Sequence, residues 1–88
     1  MRFRNRGATA LKHTSRSATH RAVIKAIVEL RHSQGLSQRE FAAKLGESNN
    51  FVWRIEAGER RIDIVEFCKI AKALGADPVE LLARILRR

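Results

Sequence analysis

Apolar residues recur at three- and four-residue steps from about Thr19 to the end of the chain, which is the spacing of one face of an α-helix. Short polar segments divide this pattern into five apolar stripes. The stripes consist of Val23, Ile24, Ile27, Val28 and Leu30; Phe41, Ala42 and Leu45; Val52 and Ile55; Val65, Cys68, Ile70, Ala71 and Leu74; and Leu81, Leu82, Ile85 and Leu86. Phe67 is also expected to lie in the core. Alternating β-branched runs and Asn-Gly or Asp-Gly hairpin turns do not occur in the sequence. The pattern therefore predicts an all-α domain of five helices.

The segments between the stripes carry residues that begin and end helices. Ser37 and Glu40 have the spacing of a capping box, in which each side chain accepts a hydrogen bond from the other residue's backbone amide, and Asp63 and Glu66 repeat it. The other predicted N-caps are Ser17 or Thr19, Ser48, and Asp77 before Pro78, and the predicted stops are Gly35, Gly46, Gly58 and Gly75. Each predicted helix therefore has a local start signal.

Two of the predicted helices are short, and only residues 46–48 separate them. Ala42 is a small residue on the inner face of the first, and Gly46 can adopt the positive φ of a tight turn. Val52 and Ile55 then attach the second helix to the core along one side. This order of residues is typical of a helix-turn-helix, whose second helix leaves its other face free for the major groove of DNA.

The charge of the chain indicates what kind of partner it binds. The 18 lysines and arginines exceed the 9 acidic residues and give a formal charge of +9 over 88 residues. This length supports one domain, and the basic excess favours a polyanion as partner. Residues 1–25 hold seven basic residues and no acidic residue. We interpret residues 1–17 as a flexible basic arm and residues 18–88 as the domain.

Three interpretations of the arm remain open. It binds nucleic acid along the phosphates or in a minor groove, it is a solvated terminus, or it is an organellar transit peptide. A secretory signal is not expected, because no apolar region follows the charges.

Other functional classes lack a signal in the sequence. No stretch approaches the ~20 apolar residues of a membrane-spanning helix. Cys68 is the only cysteine and is expected to be a small buried side chain, and His13, His20 and His32 lack the spacing of metal ligands. No nucleophile–base pair, carboxylate cluster or glycine-rich phosphate loop indicates an enzyme. We therefore expect a cytoplasmic binding protein without a metal or cofactor.

Several short motifs occur in a distinctive order. They are Gly35-Leu36-Ser37-Gln38, Phe41-Ala42-Ala43-Lys44-Leu45-Gly46, Ser48, Arg54-Ile55-Glu56-Ala57-Gly58-Glu59-Arg60-Arg61, Cys68-Lys69-Ile70-Ala71-Lys72-Ala73-Leu74-Gly75 and Leu81-Leu82. Together they resemble the Cro/C1-type (XRE-like) helix-turn-helix DNA-binding proteins of phages and bacteria. The resemblance covers roughly residues 20–85. It implies a lambda-repressor-like five-helix domain with a recognition helix at about residues 49–56. It also implies a bacterial or phage-encoded protein that associates with the nucleoid.

The resemblance also implies roles for individual residues. The predicted base contacts are Asn49, Asn50 and Arg54, to which we add the unusual Trp53; the predicted phosphate contacts are Gln38, Ser48, Arg60 and Arg61. Arg31 and Glu56 match an ion pair that ties helix 1 to the end of helix 3. The chemistry agrees, because an asparagine amide fits an adenine edge and an arginine guanidinium fits a guanine edge.

Three residues depart from the family pattern. Glu47 stands in the turn where Val or Ile is usual, close to the expected phosphate surface unless an arginine neutralises it. Phe51 is bulkier than usual, and Trp53 replaces a small or polar residue, so it is free to contact thymine methyls, sugars, the arm or a partner. Simpler alternatives stay open: Asn49 and Asn50 as solvated polar residues, Arg54 paired with Glu47 or Glu56, and Arg60 and Arg61 as an ordinary charged loop.

The predicted function is a sequence-specific transcriptional regulator, most simply a repressor, that binds double-stranded DNA at an inverted-repeat operator. One recognition helix contacts too few base pairs for specificity, so a homodimer through helix 5 is expected. The apolar residues of this helix are Leu81, Leu82, Ile85 and Leu86. The alternative is an antitoxin that binds a partner toxin and represses its own operon. Neither function involves a membrane.

Overall fold

The computed structural model describes residues 17–87 and contains five α-helices and no strand within them. The helices are α1 (Ala18–Ser33), α2 (Gln38–Leu45), α3 (Asn49–Glu56), α4 (Ile64–Ala73) and α5 (Pro78–Leu86). The prediction of an all-α, five-helix domain is confirmed. The predicted basic arm lies, apart from Ser17, outside the described residues.

The predicted helix starts are confirmed by their capping hydrogen bonds. The first helix is capped by Ser17, whose hydroxyl accepts from the His20 amide at 3.0 Å, and Thr19 lies inside the helix. At α2 and α4 both hydrogen bonds of the capping box are present. Ser48 caps α3, and Asp77 caps α5 ahead of Pro78. Local sequence therefore sets the helix boundaries.

The core has two connected parts. The larger part joins α1, α2, α3 and α4 through Ile27, Phe41, Ala42, Leu45, Val52, Ile55, Ile70 and Leu74. The smaller part joins α4 and α5 through Phe67, Ala71, Leu81 and Ile85. The α2–α3 unit therefore rests on α1 and α4, while α5 closes the opposite end of the domain.

The predicted apolar stripe of α4 is wrong in two positions. Val65 is 66% exposed and Cys68 is only half-buried, whereas Phe67 is 6% exposed. The buried face runs from Phe67 through Ile70 and Ala71, at helical spacing. Val65 lies two residues before Phe67, which is about 200° around a helix, so it points away from the core.

The five helices are too short or too polar to cross a membrane; none within residues 17–87 combines the necessary length with the necessary apolar character.

Candidate nucleic-acid interface

The turn between α2 and α3 fixes how the two helices cross. Gly46 has a φ of 72°, and the amide of Glu47 donates to the carbonyl of Ala42 at 3.0 Å. A Cβ at Gly46 would meet no atom within 4 Å, so the left-handed backbone is the reason for glycine at this position. Ala42 is 1% exposed, and its small side chain lets α3 approach α2 closely.

The inner side of α3 is fully packed. Val52 and Ile55 are 0% and 1% exposed, and both belong to the larger part of the core. Phe51 is half-buried and packs against the same cluster. The helix is therefore held along one edge, as the helix-turn-helix prediction requires.

The outer side of α3 carries the four residues predicted to contact bases. Asn49, Asn50 and Arg54 are exposed, and Trp53 is 49% exposed. None of these four side chains forms a hydrogen bond or ion pair with another residue of 17–87. Arg54 is thus not held by Glu47 or Glu56, which were its alternative partners. This face combines amide groups, a guanidinium and an indole that have no partner in the part of the chain that the structure describes.

A buried carboxylate at the end of α3 ties three helices together. Glu56 accepts from Arg31 at its Oε2 (Nε donor, 2.6 Å) and at its Oε1 (Nη2 donor, 2.8 Å). The Gln38 amide also donates to Glu56 Oε1 at 2.8 Å, and Arg31 Nη1 donates to the carbonyl of Leu36. The side chains of the ion pair are only 9% and 8% exposed. Gln38, predicted as a phosphate contact, therefore also anchors the start of α2 to α3.

The predicted phosphate contact Ser48 lies at the N-terminus of α3. Its hydroxyl accepts from the Phe51 amide at 3.1 Å and caps the helix, and the residue is exposed. The first amides of a helix lack internal partners and carry partial positive charge, so this end of α3 suits a phosphate oxygen.

The two arginines after α3 have different surroundings. Arg60 places its Cζ 4.6 Å from the centroid of the Phe51 ring and donates to both carboxylate oxygens of Glu66, at 2.9 and 2.8 Å. Arg61 is exposed, and its side chain has no hydrogen bond or ion pair among residues 17–87. Of this predicted pair, Arg60 is engaged by other side chains of residues 17–87 and Arg61 is not.

Comparison with known proteins agrees with this geometry. A family model described as helix-turn-helix matches residues 27–81, which run from the middle of α1 into α5 and include α2, α3 and the loop after α3. The chain belongs to the Cro/C1-type (XRE) helix-turn-helix family. Members of this family are DNA-binding transcription regulators.

Three proteins similar to this helix-turn-helix protein each cover 60% or more of the chain. An uncharacterized HTH-type transcriptional regulator, y4dJ, from Sinorhizobium fredii is 36% identical over 60% of this chain and 69% of its own. The solved structure of an XRE-family like protein from Pseudomonas syringae is 34% identical, with a TM-score of 0.78, over 92% of this chain and 95% of its own. The restriction-modification controller protein C.AhdI from Aeromonas hydrophila is also 34% identical, with a TM-score of 0.67, over 74% of this chain and 98% of its own.

Sequence patterns did not indicate how Arg60 is held in this helix-turn-helix protein. Glu66 was predicted only as part of the α4 capping box, yet hydrogen bonds from Arg60 and from the Asp63 amide together lower the pKa of its carboxyl. Glu66 in turn raises the pKa of Arg60, and Glu47 adds a smaller effect in the same direction. Arg60 is therefore held by Glu66, and Glu47 in the turn adds only the smallest of the charge effects on it. The available signal was the spacing between Arg60 and the capping-box glutamate.

Proposed function

We propose that this protein is a sequence-specific transcriptional repressor that binds an inverted-repeat operator as a homodimer, with α3 in the major groove. The observation that carries this proposal is the outer face of α3. Its four polar or aromatic side chains have no partner within residues 17–87, while the opposite edge is fixed in the core. An exposed polar face on an anchored short helix is the form that base recognition requires.

The chemistry of the α3 face supports direct reading of bases. Asn49 and Asn50 lie in its first turn, where a carboxamide can pair with the N6 and N7 edge of adenine. Arg54 lies one turn further and can donate to the O6 and N7 atoms of guanine. Trp53, half-exposed beside them, offers an apolar surface to thymine methyl groups.

Backbone contacts flank this face on both sides. Gln38 and Ser48 lie at the N-termini of α2 and α3, where unpaired helix amides favour phosphate oxygens. Arg61 is exposed in the loop after α3. In this proposal these residues hold the domain on the phosphates, and the α3 side chains select the sequence.

The dimer surface in this proposal is the outer face of α5. Leu81 and Ile85, which the sequence pattern included, are buried in the protomer's own core at 2% and 4% exposure. Val79 and Leu86 are 76% and 61% exposed, and the half-buried Leu82 lies between them at helical spacing. These three residues supply the apolar contact in our proposal. Two copies would place their recognition helices in successive major grooves, about 10 base pairs apart.

Selection of bound duplexes from a random DNA pool tests the whole proposal. We expect enrichment of an inverted repeat whose half-site centres lie about 10 base pairs apart. Enrichment of a single half-site would reject the dimer and keep the recognition helix. No enrichment at all would reject sequence-specific binding. Nothing in residues 17–87 favours the antitoxin alternative, which co-purification of a bound toxin chain would support.

A further inference from the structure

A small cluster joins the recognition helix to the start of α4. We call it the Arg60 clamp, and it consists of Phe51, Arg60 and Glu66. The guanidinium of Arg60 lies over the Phe51 ring, with its Cζ 4.6 Å from the ring centroid. The same group donates to both oxygens of Glu66, at 2.9 and 2.8 Å, and to the carbonyl of Arg61 at 3.0 Å. One arginine thus contacts α3, the following loop and α4.

The Arg60 clamp is fixed at both of its ends. Glu66 Oε1 also accepts from the Asp63 amide at 3.0 Å, so the carboxylate that holds Arg60 is itself held at the start of α4. Phe51 packs against the larger part of the core and stands in the first turn of α3, directly after Asn49 and Asn50. The position of Arg60 therefore bears on the turn that presents the two asparagines.

We infer that Arg60 is a positioning residue that fixes the first turn of α3 against the start of α4, and that it is not a phosphate ligand. The inference rests on the proposed function, because its consequence is measured on DNA. Three of the five N–H groups of Arg60 are engaged within the protein, and one face of the guanidinium lies against an aromatic ring. A phosphate contact through the same end of the group would break the bidentate pair with Glu66.

The two roles predict different salt dependence. A lysine or arginine that neutralises a phosphate contributes about 0.9 to the slope of log affinity against log salt. A positioning residue contributes nothing to this slope. It changes the affinity for the operator while leaving the affinity for random DNA unchanged, because only base contacts require α3 to sit accurately.

Arg60→Lys is the main test variant, because lysine keeps the charge but cannot form the planar bidentate and stacked contacts. We expect its operator affinity to fall about tenfold, the order of one misplaced base contact, with an unchanged salt slope and unchanged affinity for random DNA. Arg60→Ala should also lower operator affinity and leave the salt slope unchanged. Wild-type operator affinity for Arg60→Lys, together with a salt slope reduced by about 0.9 in Arg60→Ala, would overturn the inference.

Glu66→Gln gives a second test in which the two roles predict opposite signs. If Arg60 positions α3, the weakened pair lowers operator affinity; if Arg60 were a phosphate ligand, its release would raise affinity for all DNA. Glu59→Gln is the matched control, because it removes one exposed negative charge from the loop that contains Arg60 without removing a hydrogen bond of Arg60. Stronger binding of Glu66→Gln than of Glu59→Gln would contradict the clamp.

Amide hydrogen exchange separates a failure of the inference from a failure of the proposed function. In Arg60→Lys we expect faster exchange at the Phe51 and Val52 amides and unchanged exchange at Ile70 in the core. Such a result without any operator binding by the wild-type protein would reject the proposed function alone. Unchanged exchange at the two α3 amides would reject the clamp.

Discussion

Removing the carboxylate of Glu56 should be among the most destabilising single changes in the domain. The Arg31 side chain is only 9% exposed, and Glu56→Ala removes both of the hydrogen bonds that its guanidinium donates to the carboxylate. Breaking a buried pair on one side costs about 3–5 kcal/mol, a large share of the roughly 5–15 kcal/mol that stabilises a typical domain. For a chain of this size, that corresponds to a fall in Tm of at least about 12 °C.

The double variant Arg31→Met with Glu56→Leu separates the ion pair from the unpaired charge. Apolar residues of similar volume remove both charges together, so we expect this variant to recover most of the stability lost in Glu56→Ala. Arg60→Ala is the matched control, because the Arg60–Glu66 pair has the same chemistry but side chains that are 31% and 23% exposed. Its loss should not exceed about 1 kcal/mol.

Urea unfolding followed by circular dichroism measures all three variants against the wild type. Adding the single variants Arg31→Met and Glu56→Leu completes a double-mutant cycle, in which we expect a coupling of about 2 kcal/mol or more between Arg31 and Glu56. A cost below about 1 kcal/mol for Glu56→Ala would show that water reaches this pair, and Glu56 would then not fix α3 against α1.

Three further predictions concern base reading, pH and assembly. Arg54→Ala and Asn50→Ala should each weaken operator binding by about 1–3 kcal/mol and relax specificity at one base position, and unchanged discrimination in a competition gel shift would refute these contacts. The pKa of His20 is lowered, mainly by burial and further by the positive charge of Arg61. As the pH falls, His20 is therefore protonated in the unfolded protein before it is protonated in the folded protein. The contribution of His20 to the free energy of unfolding should therefore be fully present above about pH 6.5 and decrease as the pH drops below it. In urea titrations, His20→Gln should remove this pH dependence, and substitution of the exposed His32 by Gln should leave it unchanged. Leu86→Lys should shift sedimentation from dimer to monomer with an unchanged helical spectrum, and a dimer that persists would place the interface elsewhere.

Local chemistry made the fold largely predictable from the sequence. Ser37 with Glu40, and Asp63 with Glu66, act through hydrogen bonds three residues apart, so a short window of sequence contains both partners. The rotation of α4 was not predictable in this way. Val65 and Phe67 were both expected to be buried, and only packing against α1 and α5 decides that Phe67 is buried and Val65 is not.

Predicting the long-range contacts of the interface required more information than the spacing of apolar residues provides. Arg31 and Glu56 are 25 residues apart, and only the resemblance to a family suggested that they meet. The engagement of Arg60 escaped prediction, because its partners Phe51 and Glu66 come from two helices whose approach the loop determines. The burial of His20, at 9% exposure, likewise follows from how the helices assemble.

The outer face of α3 is the centre of the proposed function, and a nuclear magnetic resonance titration with the selected operator duplex tests it most directly. The signals to follow are the side-chain amides of Asn49 and Asn50, the indole N–H of Trp53 and the Nε–H of Arg54. We predict that these four signals shift on addition of the operator and remain unshifted with an equal amount of a scrambled duplex in high salt. Shifts confined to α5, with these four signals unmoved by the operator, would contradict DNA recognition by α3.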